Sequence, residues 1–137
     1  MNLIVCLDDR NGMSFAGKRQ SMDCVLREKV LQLTECSVLW MNAYSANQFS
    51  QTVGNIRVAE DFLQKAGNGE YCFAENADIA LYADKVETLI LYRWNRRYPF
   101  DTALPSVFTG EQWKKVDYLN FAGHSHDTIT QEVYVRC

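Results

Sequence analysis

The sequence has little of several features that mark whole classes of protein. Only two prolines occur among 137 residues, and 47% of the residues are hydrophobic, which is typical of a globular chain and not of a disordered one. This length suits one domain with a single core, which we predict over residues 1–137. No internal repeat, low-complexity tract or linker divides it.

Membrane and nucleic-acid partners are not expected. No apolar run approaches the roughly 20 residues of a membrane-spanning helix. The first eight residues (MNLIVCLD) are apolar at once and carry no basic region, so we expect a buried first strand and not a signal peptide, and a cytoplasmic protein. The formal net charge is -3 and no basic face is evident, which argues against nucleic acid. The oligomeric state stays open.

Cysteines and histidines do not form a redox or metal motif. The five cysteines are odd in number and include no CxxC pair, which indicates reduced thiols. The only two histidines lie in His124-Ser125-His126-Asp127, which looks like a fragment of the HxHxDH motif of metallo-β-lactamase-type hydrolases such as ribonuclease Z. Such a zinc site needs several further histidines, so we interpret the segment as a surface loop and predict no metal.

The stretch 71–105 organises the rest of the chain. Short apolar runs at 71–74 (YCFA) and 88–92 (TLILY) predict strands, and the pattern over 77–86 predicts a helix of about three turns between them. A strand, a helix and a second strand form a crossover that requires a parallel sheet. We therefore expect the two strands to run side by side in the same direction.

Elements on both sides complete an α/β domain. Ser21 is the predicted cap of a helix over 21–34, and Asp23 is an acid that suits its first turn. Further strands are predicted at 3–7, 37–41 and 56–58, further helices at 46–51 and 60–66, a loop at 12–20 and a turn at 52–55. Alternating residues at 112–117 and 128–135 predict two antiparallel edge strands.

The order of these elements and several motifs resemble the dihydrofolate reductase fold. Residues 3–8 with Gly12 and Met13 are similar to that family's first strand and the flexible loop after it, and 38–42 to its second strand. Residues 101–105 (DTALP) resemble its Asp-Thr-x-Phe-Pro signature. The resemblance implies an α/β fold with a central, mostly parallel sheet flanked by helices and an antiparallel C-terminal hairpin.

The residues at the family's cofactor site depart from its pattern. The family binds the NADPH pyrophosphate with a Gly-Gly pair before a helix, where only bare backbone approaches phosphate closely. The matching residues here are Ala74, Glu75 and Asn76, and Glu75 adds a negative charge. Like charges ~4 Å apart cost roughly 1–4 kcal/mol near a surface. The family's Arg-Thr pair is replaced by the segment that contains Ala43 and Ser45. We expect a degenerate cofactor site and predict no cofactor.

The substrate side of the family's site is better kept. Asp23 matches the carboxylate that holds the pterin ring and assists its protonation, so it is a weak catalytic candidate. The other interpretation makes Asp23 only a first-turn acid that suits the helix dipole. The predicted ligand-binding residues are Cys6, Leu7, Met13, Asp23, Asn42 and Tyr92.

Three functions remain open. The preferred one is a non-reductase member of the fold that binds a pterin-, nucleobase- or nucleotide-like small molecule. The alternative is an NADPH-dependent reductase of a pterin-like heterocycle with a remodelled cofactor site. The third is an interaction domain whose pocket is filled by its own side chains.

Overall fold

A computed structural model describes residues 1–49 and 55–137, and its main feature is a sheet of seven strands in these two ranges. A second, smaller sheet consists of β2, β3 and β8. The strands of the two sheets, in chain order, are β1 (Asn2–Leu7), β2 (Gly12–Phe15), β3 (Lys18–Arg19), β4 (Leu39–Met41), β5 (Ile56–Val58), β6 (Tyr71–Phe73), β7 (Thr88–Arg93), β8 (Thr102–Ala103), β9 (Trp113–Phe121) and β10 (Ile129–Arg136). The helices are α1 (Cys24–Leu33), α2 (Ala43–Ala46) and α3 (Phe62–Lys65), with 3₁₀ helices at Ala80–Lys85 and Ser106–Phe108. Within the same ranges, no helix has the length and apolarity needed to cross a membrane.

The sheet order is β5-β4-β6-β1-β7-β10-β9, and it confirms the predicted α/β class. The five strands from β5 to β7 run parallel, and β10 and β9 add an antiparallel hairpin. The prediction that the strands of Phe73 and Ile90 are direct neighbours is wrong. They run in the same direction, but β1 lies between them and pairs with both, because a crossover fixes the parallel direction and consecutive strands are neighbours in only about two-thirds of cases.

The core consists of two clusters, one on each face of the sheet. Alternate residues of β1 divide between them, so that Leu3, Val5 and Leu7 belong to one cluster and Ile4 to the other. The second cluster includes Leu26 and Val30 of α1. Side chains of β1 that face α1 and those that face away therefore cannot line the same cleft.

Helix α1 begins later than the sequence predicted. Asp23, and not Ser21, is the N-cap residue, because its Oδ1 accepts from the backbone N–H of Val25 at 2.9 Å. Ser21 therefore lies before the helix, where its hydroxyl group is available for another contact.

The segment 12–20 is not a loop, as predicted, but a small hairpin. Strands β2 and β3 pair across a turn at Ala16 and Gly17, with φ of 52° and 74°, and β8 pairs with the other edge of β2. Two-residue hairpin turns of this type need positive φ at both central positions. The strands are too short to show a period in the sequence, which is why the pattern missed them.

The helix predicted over 77–86 is a shorter 3₁₀ helix, Ala80–Lys85. The residue before it, Ile79, makes no side-chain cap hydrogen bond. At the other end, the Arg136 guanidinium donates to the carbonyls of Ala83 and Val86. The start of this element therefore has no side-chain cap, and Arg136 binds carbonyls at its end.

The remaining short elements differ from the predictions mainly in their bounds. Helix α2 precedes the helix predicted over 46–51, because Asn42 caps it by accepting from the Ser45 N–H at 3.0 Å. Residues 50 and 51 of that prediction, and residues 52–54 of the predicted turn, lie outside the described residues. Strand β5 and the strand and helix types predicted at 37–41 and 60–66 are confirmed.

Candidate functional site

The cleft at the carboxyl ends of β1 and β6 is almost closed. Ligands of open α/β sheets usually bind at this edge. The cavity that remains there measures about 10 Å³, which is at the lower limit for one water molecule. It is lined by Cys6, Met13, Arg19, Gln20, Ser21, Ala74, Glu75 and Trp94. The chain's own side chains therefore fill this cleft, whereas a depression of about 400 Å³ beside Asp23 stays open.

Glu75 is neutralised by a cation that the sequence pattern did not predict. Arg19 Nε and Nη2 donate to the two Glu75 oxygens at 2.8 and 3.1 Å, and Gln48 Nε2 donates to Oε2 at 2.8 Å. Glu75 is only 6% exposed. The guanidinium also lies over the Tyr44 ring, 4.3 Å from its centroid. The charge at the former glycine pair is thus paired internally, in a bidentate geometry with directional specificity.

Asp23 is saturated by donors from its own chain. Besides capping α1, its carboxylate accepts from the backbone N–H groups of His124 at 3.0 Å and Ser125 at 2.9 Å, and from the Ser125 hydroxyl at 3.1 Å. The His126 Nδ1 lies 3.0 Å from Oδ2. Burial opposes ionisation, but these hydrogen bonds outweigh it and hold the Asp23 pKa well below its usual range. Asp23 is only 2% exposed, but it lies at the wall of an open depression of about 400 Å³ that Arg27 and Gln48 also line.

His126 is the centre of a buried polar network. The sequence predicted a surface loop at this segment, and for His126 that prediction is wrong. Its ring is 3% exposed and stacks on Trp94, with centroids 4.5 Å apart. Its Nε2 lies 3.1 Å from the Ser21 hydroxyl oxygen and 2.9 Å from the Tyr98 hydroxyl oxygen. His124 and Asp127 are exposed, as predicted. In the ranges 1–49 and 55–137, no three His, Cys, Asp or Glu side chains are placed to hold a metal ion.

Two predicted ligand-binding residues line the cleft, and two others are enclosed elsewhere. Cys6 and Met13 contribute to the cavity wall, and burial followed by the nearby Glu75 charge raises the Cys6 thiol pKa well above its usual value. Leu7 belongs to the core cluster on the opposite face of the sheet. Tyr92 is fully buried, and its hydroxyl group donates to Gln131 at 2.8 Å. The structure therefore places Leu7 and Tyr92 on opposite faces of the sheet, because strand alternation and packing separate them.

The residues of the predicted cofactor site do lie near one another. Asn42 donates to Asn76 at 3.0 Å, and Asn76 donates to the Gly17 carbonyl at 3.0 Å. The Ala43 N–H is taken by Glu60 at 3.0 Å, while Ser45 and Ala74 are buried. The Asn42, Asn76 and Ala43 groups are therefore engaged in contacts within the chain, whereas the buried Ser45 hydroxyl group has no hydrogen-bond partner among the described residues.

Sequence reasoning missed Arg19, Gln20, Ser21 and Tyr98 as site residues. Their partners are distant along the chain: 56 residues separate Arg19 from Glu75, and 105 separate Ser21 from His126. The sequence did contain one signal for the network. An acid at a helix start, Asp23, and a single His-Ser-His segment at 124–126 are groups that a buried polar network uses.

An open depression lies directly outside the closed cleft. Its volume is about 310 Å³, and it is lined by Phe15, Ala16, Lys18, Arg19, Gln20, Tyr98 and Pro99. Phe15 is 51% exposed. Arg19 and Gln20 line both spaces and form the wall between them. Aromatic rings beside a cation and an amide are the groups with which proteins bind planar polar heterocycles.

Comparison with known proteins supports the fold and leaves the activity open. No protein-family model matches the sequence, and no curated protein matches it. Among solved structures, the dihydrofolate reductase from Enterococcus faecalis complexed with NADP(H) and RAB-propyl is similar, with a TM-score of 0.66 over 98% of this chain and 95% of that chain. The identity is 12%. The chain therefore has a dihydrofolate reductase-like fold, and at this identity the likeness is one of fold alone.

Proposed function

We propose that this chain is a non-reductase member of the dihydrofolate reductase-like fold that binds a small planar heterocycle of the pterin, nucleobase or nucleotide type. One observation carries the proposal. The carboxylate that a reductase of this fold would use, Asp23, is bound by residues 124–126, and the place of the glycine pair holds Glu75, which is bound by Arg19.

The residues present do not fit the diphosphate of NADPH. A phosphate needs free N–H donors or a free cation at the strand end. Here Glu75 places a carboxylate at that point, and the nearest cation, Arg19, already binds it through two hydrogen bonds. Before a diphosphate bound there, the Arg19–Glu75 pair would have to break and leave a buried carboxylate without its partner, at a cost of about 3–5 kcal/mol.

The outer depression supports the binding part of the proposal. Phe15 and Tyr98 supply ring faces, and Lys18 and Gln20 supply polar groups for the edge of a heterocycle. A volume of about 310 Å³ lies in the range of small-molecule sites.

The experiment is a titration with pterin, guanine, adenosine monophosphate and NADPH, in which tryptophan emission and heat are followed. Trp94 forms part of the wall of the closed cleft, so a ligand that displaces Arg19 or Gln20 changes its surroundings. We expect saturable binding of at least one heterocycle and no consumption of NADPH in the presence of any of them.

A matched pair of variants locates the site. Phe15→Ala removes a ring that is 51% exposed at the depression, and Val116→Ala removes a side chain that is 53% exposed on the edge strand β9. We expect Phe15→Ala to weaken binding about tenfold, which corresponds to about 1.4 kcal/mol, and Val116→Ala to leave it unchanged.

Two other outcomes would contradict the proposal. Consumption of NADPH with a pterin would establish the reductase with a remodelled site. Absence of binding for every compound would favour the interaction domain with a filled pocket, which the cavity of about 10 Å³ also fits.

A further inference from the structure

Ser21, His126 and Asp23 form a chain of hydrogen bonds that the proposed binding function does not need. The Ser21 hydroxyl oxygen lies 3.1 Å from His126 Nε2, and His126 Nδ1 lies 3.0 Å from Asp23 Oδ2. A nucleophile in contact with a base, which a third group orients, is the signature of nucleophilic catalysis on many unrelated folds. We propose that Ser21 is a nucleophile, activated by His126, for the hydrolysis of small activated esters.

The carboxylate fixes which nitrogen of the ring can act as the base. The Asp23 oxygens are acceptors for backbone and hydroxyl donors from residues 124–125, and the ionised carboxylate has no proton to give. The contact with His126 therefore requires the proton on Nδ1. Nε2 is then the acceptor, and it faces Ser21, as a general base must.

The ring is held rigidly in this orientation. His126 is 3% exposed, stacks on Trp94 and is tied to Asp23 within a loop that itself binds Asp23 through two N–H groups. Ser21 lies before α1, is only partly buried and lines the cleft beside Cys6 and Trp94. The nucleophile thus borders the cleft while the base and the acid behind it are buried.

Tyr98 competes with Ser21 for the base. A neutral imidazole has one acceptor nitrogen, and the Tyr98 hydroxyl oxygen is 2.9 Å from the same Nε2. When Tyr98 donates to Nε2, the Ser21 proton has no acceptor there. Tyr98 also lines the open depression, whereas Ser21 lines the cleft behind Arg19 and Gln20, so an ester in the depression reaches Ser21 only when Tyr98 and Gln20 move aside. The geometry therefore assigns Tyr98 a restraining role.

The reaction balances with water as the only co-reactant. Ser21 Oγ attacks the ester carbonyl carbon while its proton moves to His126 Nε2, and the bond to the alcohol oxygen breaks as the alcohol leaves with that proton. Water then attacks the acyl carbon and gives its proton to Nε2. The bond to Ser21 Oγ breaks, and Oγ takes the proton back. The products are a carboxylic acid and an alcohol, and nothing is oxidised or reduced.

The test uses a fluorophosphonate probe, which a base-activated serine attacks with loss of fluoride, and mass spectrometry to find the labelled residue. We expect labelling of Ser21 in the intact chain, together with slow hydrolysis of p-nitrophenyl acetate. Ser21→Ala abolishes both, and Ser106→Ala, which changes an exposed serine beyond the cleft, changes neither.

Tyr98→Phe is the sharpest variant. It retains the ring and removes the hydroxyl group that competes for Nε2, so we expect faster labelling of Ser21 by at least threefold. His126→Gln is expected to abolish labelling. Because His126→Gln also disturbs the loop around Asp23, its fold is checked by circular dichroism. If His126→Gln does not fold, the labelling rate of Tyr98→Phe is the deciding measurement.

The proposal is overturned if the folded chain is not labelled at Ser21 faster than after unfolding, or if Tyr98→Phe slows or does not change the labelling. The network is then purely structural. This outcome is independent of the heterocycle titration, which reports on the depression and needs no nucleophile.

Discussion

Asp23 and His126 are 103 residues apart in the chain, and their side chains meet in a buried contact of 3.0 Å between Oδ2 and Nδ1. The contact joins the start of α1 to the loop before β10. The resemblance to dihydrofolate reductases assigned the Asp23 carboxylate to a ligand, but in this chain the carboxylate contacts His126 instead. The predictions below begin from this pair.

Removal of the Asp23 charge is expected to destabilise the fold strongly. In Asp23→Asn, an amide N–H₂ group replaces one oxygen and faces the donors of residues 124–126. We expect a loss of about 3 kcal/mol in the free energy of unfolding, measured by urea denaturation. Asp127→Asn, an exposed position in the same loop, is the control and is expected to change it by less than about 0.5 kcal/mol.

The same carboxylate predicts a pH dependence. The Asp23 pKa is lowered in the folded chain, so the unfolded chain takes up a proton first as the pH falls. The stabilisation is complete above the unfolded pKa of about 4 and is lost progressively below it, as the pH falls toward the folded pKa. Urea denaturation at several pH values between about 6 and about 2 should show this loss in the intact chain. If the free energy of unfolding fell with pH as little in Asp23→Asn as in the intact chain, or as much, there would be no difference to assign to Asp23. An equal pH dependence in the two proteins would therefore contradict the assignment.

Arg19 and Glu75 are expected to be energetically coupled. Both are at least partly buried, with side-chain exposures of 19% and 5%, and they share two hydrogen bonds. A double-mutant cycle with Arg19→Met and Glu75→Gln should give a coupling energy of about 1–3 kcal/mol. The exposed pair Asp61–Lys65, at 3.6 Å, is the comparison and should give about 0.3–0.5 kcal/mol. Equal coupling in the two cycles would mean that Glu75 is not held by Arg19.

Gly123 is expected to be essential for the approach of the loop to Asp23. A Cβ atom there would lie 2.7 Å from the His126 carbonyl oxygen and 2.8 Å from Asp23 Oδ2. Gly123→Ala should therefore cost about 2 kcal/mol in the free energy of unfolding. In Gly110→Ala, the added methyl group meets only the flexible end of Gln112, so thermal denaturation should show a much smaller loss.

Ala16 is expected to be a position at which the fold can be stabilised. It has a φ of 52° in an exposed hairpin turn, a conformation that Asn tolerates better than Ala. Ala16→Asn should raise the free energy of unfolding by about 0.5–1 kcal/mol. Ala122→Asn, an exposed alanine without positive φ, is the control, and an equal gain there would remove the backbone explanation.

The predictions from sequence were accurate where the signal was local. Strands β1 and β7 are continuous apolar runs, and the burial of both faces of a central strand is a property of those residues alone. The hairpin of β9 and β10 was predicted from alternating residues and is present, although β9 extends to Phe121 and is exposed along most of its length. Short elements such as β2 and β3 were missed, because two to four residues are too few to show a period.

The sequence by itself determined the fold class, because apolar periodicity and the order of strands and helices leave few ways to build one core. Only the tertiary structure decided what the polar residues do. It brought Arg19 to Glu75, and residues 124–126 to Asp23, across 56 and 101–103 positions of the chain. Such pairings have no local pattern, since each depends on where the backbone returns and on which buried charge needs a partner there.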